Sequence, residues 1–251
     1  MSAKKRIDLL LVERGLAPSR ERAQALLLSG AVLVNEQKIT KSGTTVAEDC
    51  KIRLLGADHG YVSRGALKLI AALDAWSVSI KDRVGLDVGA STGGFTQVLL
   101  ERGARRVHAI DVGHNQLDWK IRSDARVVVK EGVNARYLTA EDLPESVDVI
   151  VIDVSFISLA KILPATLAFA SADADWVTLI KPQFEAGREH IDKGGIVRSE
   201  EVRRRVVEEV KSAGESLGLR SVGLIESPIT GSEGNIEYLM HWKRAESTKQ
   251  S

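Results

Sequence analysis

Cysteine and long apolar runs are scarce in this 251-residue chain, and each scarcity excludes a class of protein. A single cysteine, Cys50, allows no internal disulfide framework, and no group of His and Cys residues has the spacing of a metal site. No apolar run approaches the roughly 20 residues of a membrane-spanning helix. Asp8, Glu13 and Arg14 interrupt the apolar stretch near the start, which excludes the uninterrupted core of a signal peptide. We therefore expect a cytoplasmic protein that has no metal ion and no contact with a membrane.

Charge is unevenly distributed along the chain. The formal net charge is +1, but residues 1–64 contain eleven Lys or Arg and seven Asp or Glu, a net charge of +4 that leaves −3 for the remainder. A basic front module ahead of an acidic body is typical of a polyanion binder joined to a separate reaction domain. Ordinary variation of surface charge is the alternative interpretation. With 44% hydrophobic residues, the chain has room for one large α/β domain, or for a large domain and a small one.

The first 55 residues predict two short helices followed by several short strands. Helices are expected over residues 6–14 and 20–29, with Ser19 capping the second, and Gly15 and Gly30 stand where a glycine ends a helix. Strands are expected over residues 32–34, 38–39, 44–46 and 51–55. The pattern predicts a compact α+β module.

This front module resembles the small RNA-binding domain that is named after ribosomal protein S-four. The resemblance rests on residues 6–20 together with Ala23, Gly30, Val32, Val34 and Asn35. It implies that basic side chains neutralise RNA phosphates and position the module without reading bases. The basic positions that match are Arg6, Arg20, Arg22, Lys38 and Lys41. A solvated helix face is the alternative interpretation for each arginine taken singly.

An apolar run that breaks into a glycine-rich turn occupies residues 84–96. The run predicts a buried strand, and the glycines after it allow backbone to approach a ligand closely. The second glycine follows the first by four residues, which excludes the Gly-x-Gly-x-x-Gly fingerprint of dinucleotide binding. Asp87 and Asp111 suit the cationic amino-acid end and the ribose hydroxyls of S-adenosylmethionine, whose carboxylate would meet the free N–H groups of a helix beginning near Thr92. A turn needed only for packing is the alternative interpretation.

The body of the chain alternates strands and helices. Strands are expected over residues 107–111, 126–130, 147–153 and 176–181, and helices over residues 159–170 and 199–217, which predicts a parallel sheet with helices on both faces. Two further strands, over residues 221–225 and 236–241, are joined by a turn and predict a hairpin that adds an antiparallel edge strand. The fold class is therefore α/β, a Rossmann-like S-adenosylmethionine-dependent methyltransferase sheet with an antiparallel terminal strand, preceded by a small α+β RNA-binding domain. The expected boundaries are residues 1–56 for the front domain, 57–62 for a linker, 63–244 for the methyltransferase domain and 245–251 for a disordered tail.

Four charged residues are expected where ligands of a parallel sheet bind, beyond the carboxyl ends of the strands. Asp153 and Lys181 end apolar strands, Lys68 lies in a helix that precedes the sheet, and Glu237 lies in the final hairpin. A lysine at the end of an apolar strand is unusual, because its charge must be satisfied close to the core. A buried ion-pair cluster without a catalytic role is the alternative interpretation.

In this order the four residues resemble the Lys-Asp-Lys-Glu tetrad of FtsJ-like RNA 2′-O-methyltransferases. The surrounding residues 63–68, 86–96, 153–158, 179–185 and 234–237 resemble those of the TlyA family, which joins the same RNA-binding module to this methyltransferase body. Its members methylate cytidine 2′-hydroxyls in ribosomal RNA, although many carry an old haemolysin label. The resemblance covers nearly the whole chain. It implies an enzyme that uses S-adenosylmethionine and acts on ribosomal RNA in ribosomal subunits. We also expect a monomer.

The resemblance also implies roles for individual residues. Lys181 would be the base that takes the proton of the ribose hydroxyl, with Asp153 and Glu237 orienting the lysines, and the protonation state of Lys181 stays open. Asn134 stands where many methyltransferases have an acid, but its amide can still meet the adenine amine. Phe156 would stack on a base extracted from its helix, or belong to the core, and Arg64 would contact RNA. The residues expected to hold the cofactor are Asp87, Gly89, Ala90, Ser91, Thr92, Gly93, Gly94, Phe95, Asp111, Val112, Asn134, Ala135 and Asp153.

Two functions of other classes compete with this one. A non-catalytic RNA-binding assembly factor would not need the intact tetrad and cofactor turn, and a membrane-active haemolysin would need an amphipathic or apolar segment that the sequence lacks. The sequence leaves open which nucleotide is modified and whether one or both ribosomal subunits are substrates.

Overall fold

The computed structural model of the chain describes residues 4–28, 30–54 and 60–245. These residues fall into two units that divide between Gly60 and Tyr61. Residues 57–59 of the expected linker and 246–251 of the expected tail lie outside the described residues. Within the described ranges, no helix is both long and apolar enough to cross a membrane.

The first unit contains two helices and two small antiparallel sheets. Its elements are β1 (Lys4–Arg6), α1 (Ile7–Glu13), α2 (Arg20–Leu28), β2 (Val32–Val34), β3 (Gln37–Ile39), β4 (Thr45–Ala47) and β5 (Ile52–Leu54). β1 pairs with β4, and β2 lies between β3 and β5. The Ser19 hydroxyl accepts a hydrogen bond from the Arg22 N–H at 3.2 Å, and Gly15 and Gly30 take the left-handed φ values of +67° and +68° after their helices. The predicted α+β module is confirmed.

Strand β1 is the element of this unit that the sequence pattern does not predict. Its three residues are all basic and have no apolar alternation, so only their pairing with β4 defines them as a strand. The apolar sides of α1 and α2 pack on β2 and form one core, in which Ile7, Leu11, Ala23, Leu27 and Val32 have no exposed surface. Residue 55, which was expected to end the last strand of the module, lies outside the described residues.

The second unit is built on a seven-stranded sheet. Its elements are α3 (Gly65–Trp76), β6 (Val84–Val88), α4 (Gly94–Glu101), β7 (Arg106–Asp111), α5 (Trp119–Arg122), β8 (Val127–Glu131), β9 (Val147–Ile152), α6 (Leu163–Leu167), β10 (Ala170–Ile180), α7 (Pro182–Glu185), α8 (Glu200–Ser216), β11 (Leu219–Glu226) and β12 (Tyr238–Arg244). The strand order is β11-β12-β10-β9-β6-β7-β8. The five strands from β10 to β8 are parallel, and β12 is antiparallel to both of its neighbours.

Apolar side chains of this sheet point alternately to two cores, as the period of two along a strand requires. On one face, Leu86 and Ile150 pack against α6 and α8; on the other, Val149 and Val177 pack against α3 and α4. All five residues of β6 are buried, because helices cover both faces of the sheet at its centre. The predicted Rossmann-like architecture is confirmed, and it aligns the carboxyl ends of β6, β7, β8 and β9 along one edge of the sheet.

Two details of the prediction are wrong. The antiparallel strand β12 is not at the edge, because it lies between β10 and β11 and leaves β11 as the edge strand. The helix expected over residues 159–170 is a 3₁₀ turn, Leu159–Lys161, followed by the short helix α6, and β10 already begins at Ala170. Pro164 allows a helix to begin at this point but cannot continue one from the preceding turn, since it has no N–H to donate. At its other end β10 stops at Ile180, so Lys181 lies between β10 and α7 and not within the strand.

Candidate active site

The glycine-rich turn connects β6 to α4, and its glycines are required by contacts within the protein. Gly89 has φ of +85°, and a Cβ there would overlap the carbonyl oxygen of Asp153 at the end of β9. Gly93 has φ of +96°, and a Cβ there would press on Leu117. The turn therefore lies directly against the end of β9 and against the segment that leads into α5.

A cavity of about 380 Å³ opens at the carboxyl ends of β6, β7, β8 and β9. Its volume lies in the range of small-molecule sites in proteins. The residues expected to hold a cofactor that do line it are Gly89, Ser91, Asp111, Val112, Asn134, Ala135 and Asp153. The other residues of that expected set do not line it, namely Asp87, Ala90, Thr92, Gly93, Gly94 and Phe95. Phe95 is 4% exposed and belongs to the core between α3 and the sheet.

Sequence reasoning missed half of the sixteen residues that line the cavity. Most of the missed residues are apolar and lie near strand ends or, like Ile162, next to a short helix, so their sequence pattern resembles that of core residues. Gln116 and Ser155 lie in loops with no periodic signal. The missed lining residues are Val88, Ile110, Gln116, Val133, Val154, Ser155, Ile157 and Ile162, and Phe156 was expected at the RNA instead.

Asp111 and Asn134 are already engaged with the backbone of this edge. The two carboxylate oxygens of Asp111 accept hydrogen bonds from the N–H groups of Ser91, at 2.8 Å, and Gly113, at 2.7 Å. Asn134 Oδ1 accepts a hydrogen bond from Arg136 N at 3.1 Å and caps the following 3₁₀ turn. Each of these oxygens can accept a second hydrogen bond, so both side chains retain capacity for a ligand.

Asp87 lies in β6, two residues before Gly89, and has no exposed surface. Its Oδ2 accepts a hydrogen bond from the Thr96 hydroxyl at 2.6 Å, while Oδ1 is buried without a hydrogen-bond partner. Burial raises the pKa of Asp87 to about 7, the Thr96 hydrogen bond opposes the shift, and the negative charges of Asp153 and Asp111 add to it. A buried carboxyl with one free oxygen is set to accept a further donor or cation.

The four predicted catalytic residues form two close ion pairs. Lys68 Nζ lies 2.5 Å from Glu237 Oε2, and both side chains are buried. Lys181 Nζ lies 2.5 Å from Asp153 Oδ1 and donates a hydrogen bond to the Ser155 hydroxyl at 3.0 Å. The Lys181–Asp153 contact does not have the angles of a hydrogen bond, so Asp153 Oδ1 has a cation beside it but no hydrogen-bond donor.

Contacts between the elements connect the two pairs. Gln183, in α7, donates a long hydrogen bond of 3.4 Å to Glu237 Oε1, and a Cβ on Gly231 would overlap the same oxygen. A Cβ on Gly65, one helical turn before Lys68, would lie 3.9 Å from Asp153 Oδ2. The short helix after Lys181 therefore reaches the Lys68–Glu237 pair, and the start of α3 reaches the Lys181–Asp153 pair.

Phe156 stands at the mouth of the cavity and is 89% exposed. Its φ of +64° is uncommon for a residue with a large side chain. Its ring packs against that of Phe184, with centroids 4.8 Å apart at an interplanar angle of 50°. The core interpretation of Phe156 is wrong, because its ring is open to solvent. Arg64 immediately precedes α3 and is also exposed.

In the first unit, the residues expected to bind RNA differ in their exposure and in their contacts within the protein. Arg6 and Arg20 both donate hydrogen bonds to Asp8, which has no exposed surface, while about half of each arginine side chain stays exposed. Lys38 and Lys41 are exposed, and the stem of Lys38 covers Gly30. Arg22 is half-buried in α2. Arg6 and Arg20 therefore have a structural task that the sequence pattern did not indicate.

Comparison with known proteins assigns both units to families. Residues 61–244 match the family model of FtsJ-like methyltransferases, and residues 5–49 match that of the S4 domain. The chain is 45% identical over 250 residues to the 16S/23S rRNA (cytidine-2′-O)-methyltransferase TlyA of Mycobacterium tuberculosis, an alignment that covers 99% of this chain and 93% of that protein. The chain belongs to the TlyA family of FtsJ-like methyltransferases.

Two further relatives carry a different name. Hemolysin A of Brachyspira hyodysenteriae is 42% identical over 238 residues, covering 94% of this chain and 99% of that protein. The solved structure of a candidate hemolysin from Streptococcus thermophilus has a TM-score of 0.77 at 42% identity, and the match covers 98% of this chain and 90% of that chain. The TlyA family thus includes proteins named for an enzyme activity and proteins named for lysis.

Proposed function

We propose that the protein transfers a methyl group from S-adenosylmethionine to the 2′-hydroxyl of a cytidine in ribosomal RNA. One observation carries the proposal: Asp153 lines the cavity and lies 2.5 Å from the amine of Lys181, so a basic side chain stands at the mouth of a small-molecule site. The name of the Mycobacterium tuberculosis relative supports ribosomal RNA and cytidine as substrate.

The cavity has the chemistry that an adenosyl ligand requires. Asp111 retains acceptor capacity for ribose hydroxyls, Asn134 offers an amide for the adenine amine, and Ile110, Val133 and Ile162 give apolar walls for a planar ring. Asp87 has a buried oxygen that lacks a donor, which suits a nearby cationic group. When bound, S-adenosylmethionine supplies a methyl group on a positively charged sulfur.

Lys181 is proposed to act as the general base. A ribose hydroxyl is a poor nucleophile, so a base must take its proton as the new C–O bond forms. Lys181 Nζ takes that proton in its neutral form, and Ser155 and Asp153 hold the amine in place. Lys68 and Glu237 compensate each other's charge and are proposed to position the ribose beside Lys181. Phe156 is proposed to stack on the unpaired cytosine.

The first unit is proposed to supply affinity for RNA. Arg6, Arg20, Arg22, Lys38 and Lys41 would neutralise phosphates, while Arg64 would do so beside the catalytic residues. The expected domains, residues 1–56 and 63–244, would then divide binding from chemistry. A cytoplasmic location and a monomeric state stay predictions.

One assay separates this proposal from its alternatives. Purified protein is incubated with S-adenosylmethionine labelled in its methyl group and with ribosomal subunits or naked ribosomal RNA. Label in RNA supports the proposal, RNA binding without label indicates an assembly factor, and neither result together with lysis of erythrocytes indicates a haemolysin. Lys81→Ala, an exposed lysine before β6, serves as the control variant and should label RNA like the wild type.

A further inference from the structure

Glu185, the last residue of α7, makes a contact that the proposed reaction does not use. Its Oε1 accepts a hydrogen bond from the Leu159 N–H at 2.9 Å, and its carboxylate also bonds to the Ser158 side chain. Leu159 and Glu185 are 26 residues apart in the chain. The contact therefore joins two segments that the sequence does not join, the loop after β9 and the short helix after Lys181.

That loop, residues 153–158, carries the groups on which the proposed chemistry depends. Asp153 pairs with Lys181, Ser155 accepts a hydrogen bond from Lys181 Nζ, and Phe156 stands exposed beside the cavity. At its start the loop is held by the Asp153 N–H, which donates to the Val88 carbonyl at 2.9 Å. At its far end it is held by Glu185.

Helix α7 has the corresponding groups on the other side of this contact. Lys181 immediately precedes the helix, and the ring of Phe184 packs on Phe156 at 4.8 Å between centroids. The distance from Lys181 Nζ to Ser155 Oγ and the position of the Phe156 ring both depend on how the loop sits against α7. Glu185 is the polar group that fixes this relation at the end of the loop.

We propose that Glu185 is a positioning residue for methyl transfer, which locks the 153–158 loop onto α7 so that Lys181 and Phe156 face one substrate. Its carboxylate is half-buried, and burial together with the negative charge of Glu209 on α8 raises the pKa of Glu185. The side-chain oxygen of a glutamine at this position could accept the same hydrogen bond from the Leu159 N–H. The inference rests on the proposed function, because it assigns a role within that reaction.

The test compares three substitutions at this position under saturating S-adenosylmethionine and RNA. Glu185→Leu keeps the volume but removes the acceptor, and a displacement of about 1 Å at reacting groups can lower a rate by about 10²-fold, so kcat should fall by about 10- to 100-fold. Glu185→Gln keeps the acceptor and should stay within about threefold of the wild-type kcat. This result is expected if Glu185 acts only by positioning the loop. Glu185→Asp keeps the charge, shortens the reach by one methylene and should fall toward the leucine variant. The control is Glu189→Leu, which removes an exposed glutamate four residues away and should leave kcat unchanged.

The outcomes separate positioning from a purely structural role. If Glu185→Leu lowers the melting temperature but its folded fraction keeps the wild-type kcat, the inference is overturned. It is also overturned if Glu185→Gln is as slow as Glu185→Leu, since the acceptor would then be irrelevant. If the leucine variant does not fold, Glu185→Asp and Glu185→Gln are compared instead. A lower kcat for Glu185→Asp supports the inference, and equal kcat values for the two variants overturn it. A wild-type protein that labels no RNA would instead refute the proposed function itself.

Discussion

Asp8 in the first unit and Asp87 in the second are both carboxylates with no exposed surface, but they differ in their hydrogen-bond donors and in their pKa. Asp8 receives hydrogen bonds from the side chains of Arg6, Arg20 and Gln24, which also cover it, and these donors hold its pKa well below the usual range. Asp87 receives a side-chain hydrogen bond from Thr96 alone among the described residues, and burial raises its pKa to about 7. Both oxygens of Asp8 therefore have hydrogen-bond donors, whereas Oδ1 of Asp87 has none among the described residues.

The same contrast extends to the neighbours of Asp87. Within the described ranges, six buried side-chain N or O atoms lack a hydrogen-bond partner, and three of them, Asp87 Oδ1, Asp153 Oδ1 and Gln183 Oε1, belong to the candidate site. Buried polar groups are normally paired, because an unpaired one costs about 1–3 kcal/mol. Asp153 lines the cavity and Asp87 lies two residues before Gly89, which also lines it, whereas none of the six atoms belongs to the described residues of the first unit.

The largest effect is expected at Lys181, in the unit that is proposed to carry the chemistry. Lys181→Ala should lower methyl transfer by about 10²–10⁴, the usual contribution of an acid–base group, while cofactor and RNA affinities stay nearly unchanged. Lys181→Arg should be equally inactive, because a guanidinium keeps the charge but cannot accept a proton at working pH. Single-turnover rates with labelled methyl donor measure both. Substantial turnover by the arginine variant would mean that Lys181 acts through its charge, and proton removal would pass to water or to Asp153.

Asp87 and Asp8 predict opposite dependences of stability on pH. The folded-state pKa of Asp87 lies above its unfolded value, so the contribution of Asp87 is complete below about pH 4 and is lost as the pH rises toward 7, by up to about 4 kcal/mol. The folded-state pKa of Asp8 is lowered, so its contribution is present above about pH 4 and is lost at more acidic pH. Denaturant titrations of the ligand-free protein between pH 4 and pH 8 measure the first effect. Asp87→Asn should flatten that profile, and a variant with an unchanged profile would contradict the assignment.

Removal of Asp8 should act on the first unit alone. Asp8→Ala leaves Arg6 and Arg20 without their buried acceptor and should destabilise that unit by about 1–3 kcal/mol. Binding of S-adenosylmethionine, proposed to occur in the second unit, should be unaffected. Differential scanning calorimetry and a cofactor titration on the same sample measure the two properties. A weakened cofactor affinity would show that the two clusters are not independent.

The smallest effects are expected from single cations of the first unit. Lys41→Ala should lower the slope of log affinity for RNA against log salt concentration by about one unit, with no change in melting temperature, because Lys41 is exposed. Arg20→Ala should change the slope similarly and also lower the melting temperature, since Arg20 holds Asp8. Binding titrations at several salt concentrations provide the slopes. Equal melting temperatures for the two variants would refute the structural task of Arg20.

What the sequence could predict depends on how local its cause is. The buried strand β6, the turn after it and the order of helices and strands follow from apolar runs and glycine positions, so they were predictable from residues 84–96 and from the apolar runs of the rest of the chain. Strand β1, the pairing of Arg6 and Arg20 with Asp8, and the contact of Glu185 with Leu159 arise only when distant segments pack together. The positive φ of Phe156, which lies in the loop that Glu185 holds, likewise has no local sequence signal.

The most direct test of the account is the chemical identity of the modified nucleoside. Ribosomal RNA that has been treated with wild-type protein and labelled S-adenosylmethionine is digested to nucleosides and analysed by mass spectrometry beside RNA treated with Lys181→Ala. We expect the wild type to place the label in 2′-O-methylcytidine and the variant to place almost none. Label on a base, or equal label from both proteins, would contradict this expectation.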